Sequence, residues 1–355
     1  MKKAILLLNL GTPDAPETKA VARYLKEFLM DPFVIDIPKP LRWLLVKGII
    51  APFRSPKSAH AYQNIWMKDH GSPLLYHTKT LTEKLRQRLQ GDYQVEFAMR
   101  YGNPSIESVL NKLKSSGVED LIVIPLYPQY AMSSSLSSIE KVRELIADSK
   151  YTFRKVEVLR DFYNQPEYIE SFVQNIKKSM SQFNPDYVLF SFHGIPERHV
   201  HKTVNDCSQC LKVEDGCAKC LPQNSLCYRG QSYFSAHQMA QKLGLKNYRI
   251  SFQSRLGRDP WIKPYTDAVI TELAQKGVKN LLVVCPAFTA DCLETVEEIS
   301  IRENENFLTN GGTKLELVPS LNSEDHWVSG IQSLIQKMES REISGSMLRL
   351  DTTNG

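Results

Sequence analysis

The stretch LLLNLGTP, residues 6–13, returns as LFSFHGIP at 189–196, and GVEDLIVIP at 117–125 returns as GVKNLLVVCP at 277–286. The first pair is an apolar run ending in Gly-x-Pro, as when a buried strand enters a tight turn. The second pair is a helix end, a glycine turn and another apolar strand. Matching Gly11 with Gly194 and Gly117 with Gly277 keeps these elements in order, so one plan is used twice. Outward from these phrases, strand-like runs fall at 4–10, 93–101, 120–127, 153–159, 186–193, 248–254, 280–286 and 314–319. Helical patterns lie between them, as at 17–30, 105–116 and 264–276. Nearly continuous apolar strands alternating with helices predict parallel sheets covered on both faces, here two similar α/β domains, 1–150 and from 151 onward.

Composition narrows the function. The chain has 355 residues, 42% hydrophobic and 23% charged, an ordinary balance for a soluble globular protein. Net charge is +5 with Lys and Arg scattered, apart from short runs such as Lys177-Lys178, which argues against a nucleic-acid partner. The opening MKKAILLLNLGTP reads as a strand rather than a signal peptide, because its apolar run is short and meets Gly-Thr-Pro without a cleavage site. No apolar run reaches the length of a membrane span. Five of the seven cysteines lie between Cys207 and Cys227, which suits metal binding in a reducing cytoplasm better than a disulfide framework. Neither GxGxxG nor GxxxxGK[ST] nor GxSxG occurs, which disfavours nucleotide chemistry and serine hydrolysis.

Open parallel sheets place their sites beyond the carboxyl ends of strands. That rule selects Gly11–Pro13, Arg100–Gly102, Tyr127–Gln129, His193-Gly194, Gln253–Arg255 and Pro286–Glu294. His193 ends an apolar strand before a glycine, and an imidazole there can accept a proton or bind a metal without holding either for long. In PAFTADCLETVEEI (286–299), Asp291 and Glu294 fit a helix-capping box, which leaves Glu298 unexplained. Glu294 and Glu298 share a helical face as like charges, a mildly unfavourable arrangement unless a proton, water or cation relieves it. The expectation is an open, exchangeable site in which an imidazole from one domain faces the acids of the other. CSQCLKVEDGCAKC (207–220) is two Cys-x2-Cys pairs within a polar segment, 204–225, that reads as an inserted loop. Four thiolates suit Zn²⁺ or an iron–sulfur cluster and leave no position for substrate; Cys227 is a substitute ligand. The segment 37–66, rich in Leu, Trp, Ile and Phe around Arg42 and Lys47, has no counterpart in the second half and fits either a core helix or an interfacial one.

Taken in order, LLLNLGTP, FRSPKSA, MRYGNPS, LYPQYA, SFHGIP, SFQSRLGRDPW and AFTADCLETVEEI resemble the successive signatures of ferrochelatases across residues 4–330. The resemblance implies two Rossmann-like domains, each a parallel four-stranded sheet flanked by helices, with a porphyrin cleft between them. It implies a second domain over 151–323, a helix at 324–340 packing back on the first, and insertion of Fe²⁺ into protoporphyrin IX as the terminal step of haem biosynthesis. By motif, His193 resembles the residue that acts on pyrrole protons or incoming iron, Glu294 the essential carboxylate, and Glu298 its acidic continuation. Leu10, Arg100, Tyr127, Gln253, Ser254, Arg255 and Trp261 fall at positions that border the porphyrin. The 41–53 segment resembles the lip that meets membrane and apolar substrate, implying a cytoplasmic protein at the inner face of the membrane. Where the family often has a histidine two residues before the glutamate, this chain has Cys292. The four-Cys insertion resembles the subset carrying [2Fe–2S], here held by Cys207, Cys210, Cys217 and Cys220, with Zn²⁺ as the alternative. The rival functions are loading of Co²⁺ or another metal into a different tetrapyrrole, and a non-catalytic haem or iron–sulfur sensor. The tail 340–355 is polar and expected to be disordered.

Overall fold

In the computed structural model, residues 2–204, Leu211, Cys217, 224–255, Gly257 and 259–352 are described. Among them run β1 (Lys3–Gly11), β2 (Tyr93–Tyr101), β3 (Asp120–Pro125), β4 (Lys155–Leu159), β5 (Tyr187–His193), β6 (Tyr248–Gln253), β7 (Asn280–Val284), β8 (Lys314–Leu317) and β9 (Met347–Leu350). One sheet has the order β2-β1-β3-β4-β9 and the other β6-β5-β7-β8. Strands one to four and five to eight therefore repeat one order, and every pairing within each set of four is parallel.

The repeated glycines explain part of this likeness. Gly117 (φ +72°) and Gly277 (φ +92°) are both left-handed and both end a helix. The residue after each donates to the helix, Val118 N to Leu113 O at 3.2 Å and Val278 N to Leu273 O at 3.1 Å, so the chain turns identically into β3 and β7. Gly11 needs its glycine for a different reason: a Cβ there would lie 1.8 Å from the Tyr101 carbonyl oxygen on β2.

Two compact units result. The first comprises Met1–Tyr127, Met132–Asp161 and Ser323–Gly355. Its core includes Leu6, Leu8, Leu110, Val123, Val142 and Val158 between the sheet and its helices. The second comprises Pro128–Ala131 and Phe162–Asn322, with Leu189, Ile270, Leu281, Val283, Ile299 and Phe307 in its core. The sequence boundary at 150 is too early: β4 pairs in register with β3, so the first unit runs on to Asp161. The helix Asp325–Glu339 belongs to the first unit, where Lys84 on the helix Pro73–Arg88 donates to Ser323 O at 2.8 Å and pairs with Asp325 at 3.0 Å.

The tail is not the disordered segment expected. Its residues Met347–Leu350 form β9, antiparallel to β4, with Leu350 only 2% exposed. Ser346 donates to Asp161 at 3.0 Å, and Arg341 pairs with the buried Glu157. A four-residue strand has too few alternations to announce itself, and its partner lies far away in sequence.

Candidate active site

β5 delivers His193 to its carboxyl end, and β6 lies beside it with Gln253 in register with His193. Nδ1 of His193 lies 2.6 Å from the carbonyl oxygen of Gly194. A carbonyl only accepts, so this contact assigns the ring proton to Nδ1 and leaves the lone pair on Nε2. Gly194 N in turn donates to Gln253 O at 2.6 Å. A side chain at Gly194 would put its Cβ 2.9 Å from Gln253 O and 3.3 Å from the Trp261 ring, so glycine lets the His193 turn lie against both.

β7 runs parallel on the other side of β5, and the segment leaving it supplies the acids. Phe288 on that segment meets the His193 ring edge-on, with centroids 6.0 Å apart. The helix Leu293–Glu303, of the wide π type that often accompanies functional sites, then carries Glu294 and Glu298. Gln253 joins the two sides: its Nε2 donates to Glu294 O at 2.7 Å while its Oε1 accepts from the Ser191 hydroxyl at 2.9 Å. His193, Glu294 and Glu298 therefore belong to one unit, beyond adjacent strands of one sheet. The expectation of an imidazole from one domain facing acids from the other is corrected: β5 and β7 are neighbours, so their loops converge.

The two acids have different surroundings. Glu298 accepts from Ser254 N at 3.0 Å and from the Ser254 hydroxyl, and Arg302 stands 3.5 Å away. Ser254 is left-handed at φ +62°, a conformation that costs a serine about 1 kcal/mol or more, and the Glu298 carboxylate holds it there. No described cation forms an ion pair with Glu294. Its carboxylate faces the Cys292 thiol, whose pKa is pushed well up by burial first and by Glu294 second. Cys292 is thus held as the neutral thiol. Asp291 does not cap this helix either. Cys292 is the cap, in a box with Thr295, whereas Asp291 accepts from Ser320 N at 3.2 Å and from Asn322 at 2.7 Å.

The residues expected to border the porphyrin divide between the units. Gln253, Ser254, Arg255 and Trp261 lie in the second with His193. Gln253 is 2% exposed, and its side chain is used internally as described. The Arg255 guanidinium pairs with Asp267 and lies 4.1 Å over the Tyr265 ring. Leu10, Arg100 and Tyr127 lie in the first unit. Leu10 is half-buried near the end of β1. Tyr127 is buried, and burial pushes its phenol up, so it stays protonated. Arg100 is engaged rather than open: it pairs with the buried Asp31, donates to the Ser137 hydroxyl at 2.7 Å, and stacks 4.5 Å from the Tyr101 ring. Asp31 also accepts from Tyr101 at 2.8 Å and Ser137 at 2.6 Å.

Cys207, Cys210 and Cys220 lie outside the described residues. Cys217 is 2% exposed, and its Sγ accepts from Arg229 Nη1 at 2.6 Å. Among the described residues, no group of three or more His, Cys, Asp or Glu gathers as a metal site. Cys227 caps the helix Tyr228–Leu243, its Sγ accepting from Gly230 N at 3.4 Å. Sequence reasoning missed Phe288, Asp31 and Tyr228, whose hydroxyl donates to His193 O at 2.8 Å. Phe288 stands within a motif already singled out, but the other two carry no local signal.

A family model described as Ferrochelatase matches residues 2–339. A ferrochelatase of Coxiella burnetii (strain Dugway 5J108-111) is 45% identical over 338 residues, covering 95% of this chain and 94% of that one. A ferrochelatase of Legionella pneumophila (strain Lens) is 45% identical over 339 residues, covering 95% and 99%. Among solved structures, SirB from Bacillus subtilis with Fe3+ superposes with a TM-score of 0.53 at 12% identity, covering 97% of this chain and 98% of that one. The sirohydrochlorin chelatase SirB from Bacillus subtilis subspecies spizizenii in complex with cobalt gives 0.54 at 11%, covering 99% and 100%. At that identity the two structures bear on the fold alone, whereas the match in sequence runs through the β5 and β7 loops from end to end: the chain belongs to the ferrochelatase family.

Proposed function

We propose that the protein inserts ferrous iron into protoporphyrin IX with His193 as the base toward the pyrrole nitrogens and Glu294 as the carboxylate that receives iron or the released protons. Two N–H bonds break, two protons leave to base and solvent, and four Fe–N bonds form while iron stays ferrous. No oxidant and no nucleotide enters the balance. The observation that carries this reading is the Nδ1 contact to Gly194 O, which leaves the Nε2 lone pair to take a proton, on a turn that Gln253 ties to the segment bearing Glu294. A base of this kind contributes about 10²–10⁴-fold in rate. Porphyrin bent by remote contacts exposes its nitrogen lone pairs, and an imidazole and carboxylate hold iron weakly enough to release it. Glu298, fixed to Ser254, shapes the turn after β6 and is the next acid along the helix.

An anaerobic absorbance assay with Fe²⁺ and protoporphyrin IX should show haem formation. Turnover with Co²⁺ and sirohydrochlorin but none with protoporphyrin would move the protein to another tetrapyrrole, and none with any pair would make it a sensor. The visible spectrum of the same preparation addresses the cysteine segment. We assign Cys207, Cys210, Cys217 and Cys220 to a resident [2Fe–2S] cluster, with Zn²⁺ second. A buried sulfur facing a guanidinium fits a thiolate ligand. Bound there, such a cluster supplies a redox-sensitive tie across the segment. Reddish protein with about two iron and two sulfide per chain is expected, and colourless protein with one zinc would overturn the cluster.

The lip reading extends to the membrane. The helical run from Lys39 to Ile65 exposes Leu41, Trp43, Leu44, Ile49 and Phe53, the last at 78%. Lys39, Lys47, Arg54 and Lys57 are also exposed on it, and 37–66 contains no Asp or Glu. Apolar and cationic side chains together suit the surface of an anionic bilayer, while no described helix is long and apolar enough to cross one. A cytoplasmic protein docked on the inner leaflet follows from this reading. Sedimentation with phosphatidylglycerol vesicles should exceed that with phosphatidylcholine and be lost in Leu44→Glu/Phe53→Glu; equal recovery of both forms would remove the membrane role.

A further inference from the structure

The helix Tyr228–Leu243 begins with two buried residues that reach in different directions. Tyr228 donates to His193 O at 2.8 Å, and burial pushes its phenol up so that it remains a donor. Arg229, 2% exposed, donates to Cys217 Sγ at 2.6 Å and to the Tyr233 hydroxyl at 3.1 Å. Its Nε and Nη2 both reach Lys263 O at 3.4 Å. The residue before Lys263 donates in turn to the His193 segment, Ile262 N to Ile195 O at 3.1 Å. The guanidinium is planar and rigid, so these contacts fix its direction. Adjacent residues of one helical turn thus hold Cys217 on one side and both flanks of His193 on the other.

We propose that Arg229 and Tyr228 form a relay through which the cysteine segment positions the His193 imidazole. The proposal rests on the role given to His193 above and adds a reason for the cysteine segment to influence it. Tyr228 holds the 193–194 peptide by its carbonyl and His193 Nδ1 bonds to the carbonyl of the following peptide, so a shift of this turn rotates the ring and re-aims Nε2. Arg229 and Tyr228 touch neither porphyrin nor iron in this scheme; they act as positioning residues.

A double-mutant cycle on the full chain tests it. Cys217→Ser and Arg229→Lys, which keeps the charge and loses the fork, should each lower kcat about tenfold, the scale expected for partners that hold a reacting group in place, with KM for porphyrin unchanged. The double variant should be no slower than the slower single, because both cut the Cys217–Arg229 contact. Tyr228→Phe, which removes one of the two arms reaching the His193 segment, should fall as well. The ¹⁵N resonances of the His193 ring, identified by their loss in His193→Gln, give a readout independent of turnover. They should move in Cys217→Ser and stay unmoved by that change in the Arg229→Lys background. Wild-type kcat in either single variant, or losses that multiply in the double, would overturn the relay. Metal analysis separates the other readings. Metal-free wild type with a non-multiplying cycle removes the cluster and keeps the relay, and an inactive wild type whose His193 resonances respond removes the chelatase reading and keeps it too.

Discussion

His193→Ala is expected to abolish iron insertion while the protein still binds porphyrin. Gly194 O fixes the proton on Nδ1, Gln253 O fixes Gly194, and Phe288 closes one side of the ring. Such a held ring can only present Nε2, and alanine removes it without disturbing the backbone hydrogen bonds of β5. The loss in kcat should span about 10²–10⁴-fold. Porphyrin binding, followed by quenching of its fluorescence, should change little, because the macrocycle's affinity comes from contacts remote from its centre. Glu294→Gln should behave alike, keeping the Gln253 contact, which uses the main-chain carbonyl of residue 294. Near wild-type turnover in His193→Ala would remove the imidazole from the reaction and leave Glu294 and Glu298 as the candidate bases.

Asp31→Ala should markedly destabilise the first unit. Asp31 is 5% exposed and accepts from Tyr101 at 2.8 Å, Ser137 at 2.6 Å and Phe33 N at 2.7 Å, besides its pair with Arg100. Alanine leaves the Arg100 charge mostly buried and without its counter-ion, a change worth about 3–5 kcal/mol. Burial, the largest cause of the upward shift of the Tyr101 phenol, persists in the variant, so the phenol does not ionise to supply the missing charge. In urea, the first unfolding transition should move to lower denaturant. The paired change Asp31→Leu with Arg100→Met should regain much of the loss, since apolar groups of similar volume need no counter-charge. If the single variant unfolds at the wild-type midpoint, water reaches Arg100 and the network contributes little.

Local patterns were legible, and distant partnerships were not. Eight strands and the helices Thr18–Leu29, Ile106–Ser115 and Thr266–Gln275 fall within a few residues of the apolar runs and periodicities that announce them. Placing β4 required knowing which strand it pairs with, a contact between β3 and β4 that no periodicity encodes. The acids and the imidazole were identified by type and position at strand ends, yet assigned to opposite domains because adjacency of β5 and β7 is a property of strand order. Asp291 has the look of a helix cap, but Ser320 and Asn322 claim its carboxylate and pass the cap to Cys292. Arg100 was expected to meet substrate; its partner Asp31, distant in sequence, had no pattern to mark it.

The shared strand order also makes counterparts of two unlike positions. Gly11 stands opposite Tyr101 and His193 opposite Gln253, so counting from each Gly-x-Pro makes Leu10 the counterpart of His193, and Arg100 that of Gln253. An arginine locked to an aspartate and an amide locked to a neighbouring segment thus occupy equivalent niches. A socket at the strand's tip takes a polar anchor in both sheets. In one the anchor ties the strand to a buried carboxylate, and in the other it clamps the strand to the segment that carries Glu294.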